Sequence, residues 1–187
     1  MADINALLWP KSVAIVGAAE DTSILRGRIL NVMRMHDFAG SFHPVNRKLD
    51  KVQGLQAYPS IDAIPESVDL AVLIIPAESV ADEMIRCGEA GIKAVQILAS
   101  GFAEEPGEKG EAMQVRIQEI AKQYDMAVAG PNSEGFTNLV AKLCVTFSTT
   151  MEMGEQPLIP DNTNGRIAVV AQSGGVGYSF FDRGRPK

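Results

Sequence analysis

Cysteine is scarce in this chain: two in 187 residues, Cys87 and Cys144, far apart and without ligand-like spacing. A disulfide framework and a cysteine-ligated zinc site are thereby excluded, and both thiols are expected to be reduced, packed residues. Histidine is just as rare. His36 and His43 have no partner at triad or metal-ligand spacing, so no catalytic pair stands out and both are read as structural. Basic residues are outnumbered 17 to 23 by acidic ones, for a net charge of −6, which argues against a general nucleic-acid surface. No apolar run approaches the roughly 20 residues of a membrane span, and no basic-then-apolar leader precedes Asp3–Trp9. A soluble, cytoplasmic protein without nucleic-acid or membrane partners is expected. A further absence concerns Gly17: Ala19 and Thr22 stand where G-x-G-x-x-G would place its later glycines. The next strand ends in Asn46-Arg47-Lys48 rather than in an acid for a ribose hydroxyl, so both halves of the NAD fingerprint fail.

What is present is a rhythm of continuous apolar runs, at Val13–Val16, Leu70–Ile75, Ala94–Leu98, Met126–Ala129 and Ile167–Ala171. Such runs suit strands buried on both faces. Between them, Ile24–His36, Ser79–Ala90 and Glu108–Tyr124 carry apolar residues at helical steps, and Phe42–Val45 is the strand to which the first helix leads. The pattern predicts an α/β fold, a Rossmann-like doubly wound parallel sheet over residues 1–140. Residues 141–164, with two prolines and Asp161-Asn-Thr-Asn-Gly165 at their end, read as a linker around some extended structure. Residues 165–187 restart the design, a strand, a small-residue turn and a helix over Tyr178–Arg183, as the start of a second, flavodoxin-like α/β domain that the chain leaves truncated.

In open α/β sheets ligands sit at the carboxyl ends of the strands, so the turns there are read as one surface. After the first strand, Thr22, Ser23, Arg26, Gly27 and Arg28 can cap a helix or hold phosphate. After the second, Arg47 and Lys48 offer cationic donors suited to a phosphate. Pro76 and Ala77 leave room for a flat ring beside the backbone. The fourth strand ends in Ala99-Ser-Gly-Phe-Ala-Glu104, a polar turn whose acids read as solvated. Gly130-Pro-Asn-Ser-Glu-Gly135 is a constrained loop with free amides. Finally Gln172-Ser-Gly-Gly-Val-Gly177 opens amides at a helix start to an anion, while Ala171 breaks the G-x-S-x-G elbow of hydrolases.

Taken in order, Val13-Ala-Ile-Val-Gly-Ala18, Gly40 with Pro44-Val-Asn46, Gly54 with Tyr58, Val68-Asp-Leu-Ala71 with Ile75-Pro-Ala77, Ser100-Gly-Phe-Ala-Glu104, Gly130-Pro-Asn132 with Gly135, and Ala171-Gln-Ser-Gly-Gly175 resemble a known family. It is the CoA-binding domain of the NDP-forming acyl-CoA synthetases, the superfamily of the succinyl-CoA ligase α subunit. The resemblance implies that coenzyme A lies across the strand ends. Ser23, Arg26, Gly27 and Arg28 would then meet its phosphates, with Arg47 and Lys48 near the ribose phosphate and Asn46 beside them. Pro76, Ala77, Leu98, Ala99 and Ser100 would flank the adenine and pantetheine, and Gly130, Pro131 and Asn132 would border the reaction centre. Ser173, Gly174 and Gly175 would point a helix start at a phosphate. The implied function is the CoA-binding portion of an ADP- or GDP-forming acyl-CoA synthetase, an acid–thiol ligase acting through an acyl phosphate and a phosphohistidine. It would bind CoA without completing the reaction alone, since the phosphohistidine and the ATP-grasp domain or subunit lie elsewhere; a homo-oligomer is also compatible. The alternative is a non-catalytic CoA-sensing module, such as the ligase-like region of a protein acyltransferase.

Overall fold

The computed structural model describes residues 2–152 and 167–184. Its centre is a parallel sheet of five strands, β1 (Ser12–Val16), β2 (Ser41–Val45), β5 (Leu70–Leu73), β6 (Ala94–Ile97) and β7 (Ala127–Ala129), in the order β2-β1-β5-β6-β7. β1, β5 and β6 are buried at every position, as strands covered on both faces must be. Successive side chains alternate between two cores. Ala14, Ala71, Leu73, Val95 and Ile97 face Val80, Met84 and Cys87 of helix α3 (Ala77–Glu89) and Ile117 and Ile120 of helix α4 (Glu108–Gln123). Val13, Ile15, Leu70, Val72 and Leu98 face Leu7 of α1 (Ile4–Leu8), Ile29, Leu30 and Met33 of α2 (Leu25–Arg34), and Leu143 and Val145. The strand order reverses between β1 and β5, and in doubly wound sheets that reversal opens a crevice at the carboxyl ends.

Two short antiparallel hairpins complete the domain. β3 (Lys51–Val52) and β4 (Leu55–Gln56) follow β2, and β8 (Gly135–Asn138) pairs with β9 (Leu143–Thr146) after β7. β9 lies in the stretch read as a linker from residue 141. The extended structure expected within that stretch is β9, where Leu143, Cys144 and Val145 are wholly buried and which packs on α2. Its alternation of Leu, Cys, Val and Thr is too short to be told from a loop by period alone. The part of the proposed linker from 153 to 164 lies outside the described residues, as do Gly165 and Arg166.

The strand expected at Ile167–Ala171 joins no ladder among the described residues, and Ile167 and Val170 are 88% and 99% exposed. An apolar run specifies a need for burial without specifying a partner strand. The helix after it is longer than expected, α5 (Gly174–Gly184). Tyr178 and Phe181 of α5 pack against Val32, Cys144 and Met151, and the Tyr178 hydroxyl lies 3.2 Å from Thr137 Oγ1. Desolvation pushes that phenol up to about 12. Both cysteines are free and buried, with the Cys144 thiol pushed up to about 12 by desolvation. Among the described residues no helix is long and apolar enough to cross a membrane.

Both histidines are indeed buried in the framework. His43 Nε2 lies 3.0 Å from Ser41 Oγ, and His36 Nε2 bonds the Met151 carbonyl at 2.8 Å. Burial holds the His36 imidazole below its usual 6.5, with the Met151 carbonyl and Asp37 pulling the other way. Between the folded and unfolded values the unfolded chain therefore binds more protons, so stability rises with pH there. The contribution is complete above about pH 6.5 and is lost as pH falls through the lower folded value. Urea midpoints at pH 7.5 and 5.5 are expected to differ more for the wild type than for His36→Gln; equal differences would contradict this account. Leu143→Ala is expected to cost about 2–5 kcal/mol in urea unfolding, as for a core leucine. A change within about 0.5 kcal/mol, the level of an exposed loop, would contradict the packing of β9 in the core.

Candidate functional site

Parallel pairing brings all five carboxyl ends to one rim, and backbone bonds lock the turns to their neighbours. Gly17 N donates to Val45 O at 3.1 Å, Ile74 N to Val16 O at 3.0 Å, Leu98 N to Leu73 O at 3.2 Å, and Asn132 N to Ala99 O at 2.8 Å. The turns after β1, β2, β5, β6 and β7 therefore form a continuous edge, and the residues singled out along 23–28, 46–48, 76–77, 98–100 and 130–132 all lie on it or beside it.

Asn46 is the hinge of the second turn. Its Nδ2 donates to Ala18 O at 2.9 Å, and its Oδ1 accepts from Lys48 N at 2.8 Å and Leu49 N at 3.1 Å, an Asx turn in which the amide side chain is spent on shape. Arg47 and Lys48 are left exposed beyond it. The positive charge of Arg47 also reaches Glu83, a buried acid on α3 with Arg86 Nη1 3.9 Å away. Burial raises the Glu83 carboxyl, and Arg86 and then Arg47 pull it back.

In the first turn, Ser23 donates both its N–H and its hydroxyl to Asp21 Oδ1, at 2.8 and 2.6 Å. Those bonds hold the Asp21 carboxyl below its usual range. α2 begins after Ile24 with no side-chain cap, so neither Thr22 nor Ser23 caps it. Arg26 is exposed and makes no ion pair among the described residues. Gly27 is buried, and a methyl there would overlap the Asp21 carbonyl oxygen; packing of the loop on α2 is what this glycine permits. Arg28 Nε pairs with Glu152 Oε1 at 3.3 Å, so its charge is met from the 149–152 segment.

Between the starts of α3 and α4 lies a cavity of about 460 Å³, walled by Pro76, Ala77, Ser100, Gly101, Pro106 and Met113. Its size falls within the range of small-molecule sites. Glu78 and Lys109, 2.8 Å apart, line it as an ion pair. Beside it the Glu104 carboxylate accepts from Gly101 N at 2.6 Å and Phe102 N at 3.2 Å. Desolvation pushes the Glu104 carboxyl up, and the N–H groups of Glu104, Gly101 and Phe102 together hold it below the usual range. A second cavity, about 370 Å³, is lined by Ile61, Asp62, Ile64, Glu66, Val68 and Glu89. It lies toward the amino ends of β5 and β6, and its three acids suit no polyphosphate.

The loop after β7 is fixed by Gly130, whose φ is +98° and whose added methyl would overlap the Ile97 carbonyl oxygen. Asn132, also at positive φ, ties the loop to β6. Of Ser173, Gly174 and Gly175, Gly174 packs directly against the Glu134 side chain at this loop's far end. A carboxylate at that helix start went unforeseen, as did Asp21, Glu152 and the part played by Gln53 described below. These are long-range contacts between segments whose local patterns announce only polar turns. Among the described residues no cluster of His, Cys, Asp and Glu could hold a metal ion.

The rim of strand-end turns thus carries exposed cations beyond β2 and a cavity between the starts of α3 and α4. The chain is 37% identical over 172 residues to the ADP-forming acetate–CoA ligase II of Archaeoglobus fulgidus, covering 92% of this chain and 24% of that protein. It is 35% identical over 168 residues to the α subunit of the ADP-forming acetate–CoA ligase II of Pyrococcus furiosus, covering 90% and 34%. The fold matches the dinucleotide-forming acetyl-coenzyme A synthetase 1 of Ca. Korarchaeum cryptofilum, solved with phosphate and ADP. The TM-score is 0.84 at 31% identity, over 98% of this chain and 37% of that one. The chain thus spans about a quarter to a third of the length of the curated relatives it matches. The CoA binding domain model matches residues 11–138, and the chain belongs to that family.

Proposed function

We propose that this chain is the CoA-binding portion of an ADP-forming acyl-CoA ligase, holding coenzyme A along the rim from the first turn to the loop after β7. The observation that carries the reading is the convergence of five strand-end turns on one edge, with Arg47 and Lys48 exposed beyond β2. In this reading Ser23, Arg26, Gly27 and Arg28 border the diphosphate, Arg28 turning from Glu152 to do so. Arg47 and Lys48 meet the 3′-phosphate, held out by the Asx turn of Asn46. Pro76, Ala77, Leu98, Ala99 and Ser100 flank the adenine and pantetheine. Gly130, Pro131 and Asn132 border the thiol, and the nearby helix start at Ser173, Gly174 and Gly175 faces a phosphoryl group. Family resemblance supports a division of labour in which an ATP-grasp domain or subunit and a phosphohistidine from other residues supply the activated acyl group. The same resemblance supports a cytoplasmic setting and a second α/β unit opening at residue 165. The burial of β9 supports extending the CoA-binding unit through residue 152.

Isothermal titration of the chain with CoA and with 3′-dephospho-CoA tests the reading. CoA is expected to bind more tightly, and Lys48→Ala to weaken CoA by roughly tenfold, the size of a charge-assisted phosphate contact, while leaving 3′-dephospho-CoA unchanged. Equal affinity for the two ligands would remove Arg47 and Lys48 from the site, and no binding of either would defeat the reading.

A further inference from the structure

Gln53 joins the β3–β4 hairpin to the turn after β1. Gln53 and Gly54 form the two-residue link of that hairpin, at φ +49° and +79°. Positive φ at both positions is the pattern of a type I′ turn, whose first position favours Asn, Asp or Gly. A glutamine there holds a conformation that L residues rarely adopt, so the hairpin alone does not account for it. Its polar groups are spent across the junction instead. The backbone N–H donates to a Glu20 carboxylate oxygen, and the carbonyl accepts from Arg34 Nη1 at 2.6 Å. Side-chain Nε2 donates to Ala19 O at 3.1 Å and to Gly27 O at 2.8 Å. Both of these partners are carbonyls, so only the nitrogen of the amide can face them. Oε1 is then left buried with no hydrogen-bond partner among the described residues, a cost that turn formation does not require.

Ala19 and Gly27 are the two limbs of one loop, the first leaving β1 and the second lying in the first turn of α2. A single amide ties them together, and Asp21, Ser23 and Arg26 lie between. We propose that Gln53 is a positioning residue for this loop: it fixes the span between β1 and α2 so that Arg26 and the start of α2 face the ligand's diphosphate, without touching the ligand itself. The proposal rests on the CoA reading above and adds to it a residue from outside the rim. Strain and an orphaned acceptor are retained at Gln53 because the loop it pins sets phosphate affinity.

The test is titration of the full chain and of Gln53→Gly with CoA and 3′-dephospho-CoA, alongside urea unfolding. Glycine accepts positive φ without strain, so the turn is kept while the pin is removed. The expected result is a folded variant that binds both ligands more weakly by the same factor, about tenfold, through loss of preorganisation, with faster amide hydrogen exchange over residues 19–27. A purely structural residue would move the urea midpoint and leave the affinity of the folded protein unchanged, which would overturn the proposal. A loss confined to CoA would also overturn it, by placing Gln53 at the ribose phosphate. Should Gln53→Gly fail to fold, Gln53→Asn carries the same test, since asparagine tolerates positive φ but is one methylene too short to span both carbonyls. A wild type that binds neither ligand would defeat the CoA reading itself, an outcome distinct from unchanged affinity in the variant.

Discussion

Everything at the functional edge depends on the parallel register of five strands. Because β2, β1, β5, β6 and β7 run the same way, their carboxyl ends arrive together, and each turn can donate a backbone N–H to the end of its neighbour. The bonds from Gly17 to Val45, Ile74 to Val16 and Leu98 to Leu73 extend the sheet by one residue past the strands, and that from Asn132 to Ala99 joins the loops beyond β7 and β6. They convert five separate loops into one surface. Antiparallel pairing would send alternate turns to opposite ends of the sheet, and no shared edge would form.

Carboxylates are stationed along that edge where an anion would otherwise be drawn. Asp21 takes both donors of Ser23, Glu104 takes the amides of Gly101 and Phe102, Glu152 pairs with Arg28, and Glu134 lies against Gly174. The first three of these contacts hold donor groups in place and at the same time meet them with negative charge. Arg26, Arg47 and Lys48, by contrast, make no ion pair among the described residues. A ligand that spanned several of these points would meet both the carboxylate-paired donors and the exposed cations.

Much of this was legible from the residues, because the runs at Val13, Leu70 and Ala94 are uninterrupted and strands buried on both faces leave that mark. The helices α3 and α4 followed from their spacing, and the turns could be placed once the strands were ordered. What stayed hidden depends on distance along the chain. Arg28 meets Glu152, Gln53 meets Ala19 and Gly27, and Leu143 meets α2, none of which leaves a local period. The hairpin of β3 and β4 has only two residues per strand, too few to alternate visibly. Ile167–Ala171 joins no ladder among the described residues: its composition suits a buried strand, but composition cannot name the strand beside it. Gly27, expected at a phosphate, is explained first by the room it leaves for the Asp21 carbonyl.

The central claim is that one ligand contacts all five strand-end turns together. The most direct measurement is a titration of the isotope-labelled 20.0 kDa chain with CoA, followed by backbone amide chemical shifts. The account predicts saturable shifts in a contiguous set, residues 17–28, 46–48, 75–77, 98–101 and 130–132, appearing at a common ligand concentration. Shifts confined to the acidic cavity around Ile61, Glu66 and Glu89, or to one turn alone, would contradict it.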